Sequence, residues 1–249
     1  MRLSRLLATL SLIAVPLAAS AQDLTVSAAA SLTNAFKDVG AQFEKANPGV
    51  SVKLNFAASG ALLRQIEQGA PVDVFASADQ ATMDRGDKQG LIDAATRRDF
   101  AANSLVLIEP VQGGAQVRAL KDLADGKITR VAVGKVDTVP VGRYTKQALE
   151  SAGLWSTLQP KLVFADNVRQ VLDYVSRGEV DAGFVYRTDA AIMRDKVKIV
   201  LTAQGHDPVS YPAAVIKESR NKKLAAKFLD YLATPEAGKI LEQYGFGKP

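Results

Sequence analysis

Strand-like and helix-like runs alternate along most of this chain, and that alternation restricts the fold to an α/β architecture with mostly parallel strands. "DLTVSAA" (23–29) reads as a strand and "SLTNAFKDVGAQFEKA" (31–46) as a helix with Leu32, Phe36, Val39 and Phe43 on one face. After the turn "NPG", "VSVKLNF" alternates as a strand, "SGALLRQIEQG" is a short helix ended by Gly69, and "VDVFAS" is a third strand. The same grammar returns in "RVAVG", "PVGRYTKQALESAG", "KLVFA", "DNVRQVLDYVSRG" and "DAGFVY". One echo ties the two blocks together. "EQGAPVDVFASAD" and "SRGEVDAGFVYRTD" share the plan of helix end, Gly, Val-Asp, strand, polar turn and Asp. Two lobes built alike are expected.

Two apolar extended runs, "NSLVLI" (103–108) and "YPAAVI" (211–216), flank the second block and are candidates for a pair of crossings between lobes. "LAAKFLDYL" and "TPEAGKILEQYGF" would then return to the first lobe, the last helix starting at Thr234 as N-cap with Pro235 behind it. The expected boundaries are a signal peptide at 1–21, lobe I at 22–103 and 212–249, and lobe II at 104–211.

The N-terminus carries Arg2 and Arg5, then "LLATLSLIAVPLAA", then small residues at 19–21. This is the order of a secretory signal peptide, with cleavage expected after Ala21 and a mature start at Gln22. The full chain of 249 residues has net charge +5; without Arg2 and Arg5 it has 29 basic against 26 acidic residues, a net of +3. The charges are interspersed, and no run resembles a nucleic-acid stripe. The densest basic stretch, "RNKKLAAKFLDYL" (220–232), has Leu224, Phe228, Leu229 and Leu232 on one helical face, so its lysines read as a solvated face. There is no cysteine. Disulfides and a lipid-modified N-terminal Cys are thereby excluded, and an exported, soluble protein without an anchor suits an enclosed periplasm.

Catalytic chemistry is poorly supplied. There is no thiol, and the one imidazole, His206, sits in the turn-like "AQGHDPVS" and reads as a surface residue. No nucleophile elbow or phosphate loop occurs, and zinc ligands of the usual N and S type are missing. Asp73, Asp79, Asp181 and Asp189 recur at strand ends, where capping and turn roles explain them. What the sequence offers is helix starts after strands, at Ser31, Ser59, Val141 and Val168. In an open sheet such starts gather at one edge, and their free N–H groups and positive potential suit an anion. Taken singly, Ser31 and Ser59 read by default as ordinary N-caps, and Val141 and Val168 as unremarkable first-turn residues.

"AAASLTNAF", "GAPVDVFASADQ", "VPVGRYTKQAL", "ADNVRQVL", "GFVYRTDA" and "FLDYLATPEAGKILEQYGF" together resemble the periplasmic molybdate-binding proteins of ABC transporters, over essentially the whole mature chain. The resemblance implies a type II two-lobed periplasmic binding protein, each lobe a mostly parallel sheet flanked by helices, with a two-strand hinge. It implies a bound molybdate or tungstate oxyanion, no cofactor, no catalysis, a membrane permease as partner, no nucleic acid and a monomeric state. It carries the ligand contacts to Ser31, Ser59, Val141, Val168 and Tyr186, as hydrogen-bond partners of molybdate oxygens without direct metal ligation. Val141 stands where the family often has Ala, and Ala58 and Gly60 where serine-rich versions occur. A site made of donors suits an unprotonated dianion, whereas a carboxylate acceptor would favour protonated phosphate. Another tetrahedral oxyanion, sulfate or phosphate, is the alternative ligand. Tyr186 also reads as a core tyrosine. Arg143, Arg169 and Arg187 read as solvated residues, or else as raising the potential at the cleft mouth.

Overall fold

The computed structural model describes residues 22–249; the expected signal peptide, 1–21, lies outside the described residues. The first block comprises β1 (Gln22–Ala29), α1 (Thr33–Ala46), β2 (Val50–Ala57), α2 (Ser59–Glu67), β3 (Val74–Ala76), α3 (Gln80–Lys88) and β4 (Arg98–Asn103). The second runs β5 (Leu105–Pro110), β6 (Val131–Gly134), α4 (Pro140–Ser151), α5 (Trp155–Leu158), β7 (Leu162–Ala165), α6 (Val168–Ser176), β8 (Ala182–Tyr186), α7 (Arg187–Ile192) and β9 (Val197–Thr202). The chain ends with β10 (Val209–Val215), α8 (Lys222–Leu232) and α9 (Pro235–Gln243). Among the described residues, no helix is long and apolar enough to cross a membrane.

The strands form two five-stranded sheets of matching plan, ordered β2-β1-β3-β10-β4 and β7-β6-β8-β5-β9. In each, one strand opposes four: β10 is antiparallel to β3 and β4, and β5 to β8 and β9. These opposing strands are the ones expected to carry the crossings. The chain passes from the first sheet to the second at Ser104, between β4 and β5, and returns through 203–208, between β9 and β10. Strand β4 and helix α3, unassigned in the sequence reading, complete the first half.

The sequence echo has a structural counterpart. The Asp73 amide donates to the Thr25 carbonyl, and its carboxylate accepts from the Thr25 amide at 2.8 Å. Asp181 does the same in the other half, its amide on the Arg130 carbonyl and its carboxylate on the Thr129 and Arg130 amides at 2.7 and 2.9 Å. Each Val-Asp thus clamps the entry of one inner strand onto the start of the other. The aspartates satisfy backbone donors, as a capping role requires.

The apolar face of α1 is buried as its spacing requires, with Phe36, Val39 and Phe43 inaccessible. Helix α8 closes over it. Phe228 meets Phe43 edge-on at 5.1 Å and Phe36 at 6.2 Å between ring centroids, while Lys222, Lys223 and Lys227 face solvent. Thr234 caps α9 by accepting from the Ala237 amide. Phe228→Ala deletes the ring that joins these helices and is expected to lower stability by about 3–5 kcal/mol. Urea unfolding followed by circular dichroism measures that loss.

Candidate functional site

Strand β1 ends in Ala28 and Ala29, and a single 3₁₀ turn, Ala30–Leu32, leads into α1. β2 delivers α2 at Ser59, β6 delivers α4 at Pro140, and β7 delivers α6 at Val168. Tyr186 ends β8 at the start of α7. Ser31, Ser59, Val141, Val168 and Tyr186, spread over more than 150 residues of sequence, all line one cavity and are all buried. Alanines, Val139 and Pro140 complete its wall. The space is small: about 10 Å³ is open to the centre of a water-sized sphere. Larger hollows of about 500 and 590 Å³ lie elsewhere, one beside α9 and one around Asp73, and contain none of these five residues.

The helix starts are held tightly together. A Cβ on Gly142 would overlap the Gly134 carbonyl oxygen, so glycine lets α4 begin directly against the end of β6 and sets Val141 at the cavity. Gly60 serves the contact between halves. Its amide donates to the Thr138 carbonyl at 3.0 Å, and a Cβ there would lie 2.7 Å from that oxygen. Position 60, noted in the sequence as lacking the serine of richer versions, is thus a point of close backbone approach.

Neither serine caps its own helix, which corrects the N-cap reading. Ala58 is the N-cap of α2 and Ala29 that of the 3₁₀ turn, both without side-chain cap bonds. Instead each serine oxygen accepts from elsewhere: Ser59 from the Ala78 amide at 3.0 Å, and Ser31 from the Tyr211 hydroxyl at 3.0 Å. Each hydroxyl therefore retains its proton for a further acceptor. Val141 and Val168 lie in first turns, where N–H groups have no intrahelical acceptor. The α6 cap, Asn167, accepts from the Gln170 amide and not from Val168. The Tyr186 hydroxyl is buried with no hydrogen-bond partner among the described residues. Burial pushes its pKa well above the ordinary phenol value, so it remains a neutral donor. Among the described residues, no charged side chain lines the cavity.

The nearest charges are the arginines, and two of them are not solvated. Arg143 Nε donates to Asp79 Oδ2 at 2.7 Å, Nη2 to Thr82 Oγ1 at 2.6 Å and Nη1 to the Val136 carbonyl. Arg169 Nε donates to Asp189 Oδ1 at 2.6 Å, Nη1 to Asn34 Oδ1 at 2.9 Å and Nη2 to the Ser31 carbonyl at 3.3 Å. The solvated reading fails for both because each guanidinium finds acceptors in its own half and across the cleft, where Arg143 reaches Asp79 and Thr82 and Arg169 reaches Asn34 and the Ser31 carbonyl. Arg187 is on the exposed side, donating to Thr202 Oγ1. His206 lies in the second crossing with its ring edge-on to Tyr144, away from the cavity. Among the described residues, no three His, Cys, Asp or Glu side chains cluster as metal ligands.

The sequence model of the bacterial extracellular solute-binding proteins matches residues 24–247. This chain belongs to that family. The molybdate-binding protein ModA of Escherichia coli is 44% identical to it over 234 residues, covering 90% of this solute-binding protein and 88% of ModA. Among solved structures, the substrate-binding domain of a putative molybdenum ABC transporter from Clostridium difficile is 39% identical, with a TM-score of 0.69 over 91% of this chain and 99% of that one. The periplasmic molybdate-binding protein of Azotobacter vinelandii is 27% identical, with a TM-score of 0.79 and the same coverage. The fold is that of a type II periplasmic binding protein, α/β with two helix-flanked sheets.

Three residues of this solute-binding protein that bear on the site went unassigned in the sequence: Asn103, Tyr211 and, in its pairing with Arg169, Asp189. Asn103 and Tyr211 sit in runs that read as apolar crossing strands, and no spacing rule singles them out. Asp189 is fully buried, with Oδ2 unpartnered. Burial pushes its carboxyl up to about 6, outweighing the opposing pull of Arg169. The folded state therefore holds this proton more tightly than the unfolded chain, whose value is the ordinary 3.8. The stabilisation is full below about pH 3.8 and is lost as pH rises through about 6. Wild type is expected to lose stability relative to Asp189→Asn between pH 4 and pH 7, by on the order of 3 kcal/mol. Paired denaturation curves at each pH test this; a pH-independent difference between the two proteins contradicts it.

Proposed function

We propose that this protein captures molybdate, and tungstate with it, in the cavity between its two halves and delivers the anion to the membrane permease of an ABC importer. The observation that carries the reading is the buried, unpartnered hydroxyl of Tyr186 in a cavity whose polar groups are all free to donate. A tetrahedral dianion without a proton needs donors around it and has no use for an acceptor. Ser31 and Ser59 supply hydroxyl protons, Val141 and Val168 supply backbone N–H groups, and Tyr186 supplies its phenol. Donation to an ionised acceptor is stronger than donation between neutral groups. The 44% identity to ModA of Escherichia coli supports molybdate as the ligand.

The two halves act as lobes in this reading, 22–103 with 212–249 and 104–211, hinged at the crossings beside Ser104 and in 203–208. Closure brings α4 and α6 of the second lobe onto Ser31 and Ser59 of the first. The protein works as a monomer in the periplasm after export by the 1–21 signal peptide. It binds no nucleic acid, performs no catalysis, holds no cofactor and ligates no metal directly. The absence of cysteine supports a form without a lipid thioether.

Titration calorimetry with molybdate, tungstate, sulfate and phosphate tests the assignment. Tight binding of molybdate and tungstate is expected; tight binding of sulfate or phosphate with none of molybdate overturns it. Tyr186→Phe separates ligand donor from core tyrosine. Loss of a hydrogen bond to a charged partner is expected to weaken molybdate binding by about 1.5–3 kcal/mol, roughly tenfold to a hundredfold in Kd. The ligand-free melting temperature should hold or rise, because an unsatisfied buried hydroxyl has been removed. Unchanged affinity would show that Tyr186 is not a donor.

A further inference from the structure

Hydrogen positions on hydroxyls are fixed by their neighbours, and one chain of neighbours runs from the first crossing to the cavity. It begins at a group that can only donate. The Ser104 amide donates to Asn103 Oδ1 at 2.9 Å, which orients the Asn103 amide group. Asn103 Nδ2 must then face the other way, where it donates to Thr188 Oγ1 at 2.9 Å and to the Tyr211 hydroxyl oxygen at 3.2 Å. Tyr211 is fully buried, and burial raises its pKa far above the ordinary value, so it keeps its proton. That proton has one acceptor at hand, Ser31 Oγ at 3.0 Å. Ser31, accepting from Tyr211, has its own proton left for the cavity it lines.

We propose that Asn103 and Tyr211 are positioning residues that lock the Ser31 hydroxyl as a donor into the cavity. The proposal rests on the oxyanion-site reading above and concerns how that site acquires its polarity. Asn103 lies on β4, Tyr211 on β10, and Ser31 follows β1, all in or directly attached to the first sheet. The polarity of Ser31 is thus set by strands of the sheet it extends, with the Ser104 amide as the anchor. A hydroxyl fixed in advance needs no reorientation when the anion arrives. Freed from Tyr211, the same serine could turn and accept, which would blunt discrimination against oxyanions that carry a proton.

A double-mutant cycle between Tyr211→Phe and Ser31→Ala, read by titration calorimetry with molybdate, tests this. Tyr211→Phe is expected to weaken binding about tenfold when Ser31 is present and less than twofold in the Ser31→Ala background. It is also expected to narrow the preference for molybdate over phosphate. Equal losses in both backgrounds, or no loss in either, overturn the proposal. Should Tyr211→Phe fail to fold, Asn103→Asp carries the same test. It keeps the acceptor for the Ser104 amide but replaces the donor to Tyr211 with an acceptor. Any repulsion from its added charge acts in both backgrounds and cancels in the cycle. If wild type binds sulfate and not molybdate, the molybdate assignment fails, and the cycle is read with sulfate: coupling upholds the relay and additivity overturns it. If wild type binds none of the four oxyanions, both readings fall.

Discussion

A buried hydroxyl without a partner costs a fold on the order of 1–3 kcal/mol, and this protein places that cost on Tyr186, beside two serines and two helix starts. The other polar groups of the cavity share its condition in a milder form. Ser31 and Ser59 are each held as acceptors by a protein donor, which leaves one proton apiece unspent. The first-turn amides of α4 and α6 have no acceptor within their helices. Every polar group at the cavity is therefore deficient in the same sense. Every polar group there can donate, and none is ionised, which is complementary to an unprotonated anion.

The topology explains how residues so far apart in sequence share this deficiency. β1, β2, β6, β7 and β8 each run toward the cavity, and each hands over there to a helical turn. Parallel neighbours end at the same edge, so three strands of one sheet and two of the other deliver their helix starts together. The exchanged strands β5 and β10 sit one per sheet and connect the halves. The small residues that end β1 now have a reason: Ala28 to Ala30 let backbone and hydroxyl approach the cavity with no side chain between. Glycine has the same use at 142 and 60, where backbones of separate elements nearly touch.

Much of this was legible in sequence because it is local. The helix faces of Phe36, Val39 and Phe43, and of Leu224, Phe228 and Leu229, follow from a 3.6-residue period, and each face is buried. Four of the five cavity residues lie at strand-to-helix junctions that pattern alone marks, and the family resemblance selected those four and added Tyr186. What pattern could not supply was the partner of each side chain. Ser31 looks like a cap until the fold places Tyr211, 180 residues on, against its oxygen. Arg143 and Arg169 look like solvated helix residues, since their acceptors, Asp79 and Asn34, belong to the other half of the molecule. Long-range pairing of this kind leaves no trace in periodicity, and α3 and β4 went unassigned between the strand read in "VDVFAS" and the first crossing.

The arginines clarify how charge is distributed around the site. Each is paired with a buried carboxylate, Arg143 with Asp79 and Arg169 with Asp189, so neither presents a free positive charge to the cavity. Buried ion pairs of this sort contribute little net stability, but their geometry is demanding. Here the geometry spans the cleft: Arg143 ties α4 to the start of α3, and Arg169 ties α6 to Asn34 and to the Ser31 carbonyl. The Arg143–Asp79 ion pair and the Arg169 hydrogen bonds to Asn34 and the Ser31 carbonyl thus join the two halves, while the cavity itself is left to neutral dipoles. That division has a chemical consequence. A point charge attracts any anion from any direction, whereas hydroxyls and amides act only along their bonds. A cavity lined by oriented dipoles is therefore suited to discriminate by the size and protonation of an anion as well as by its charge.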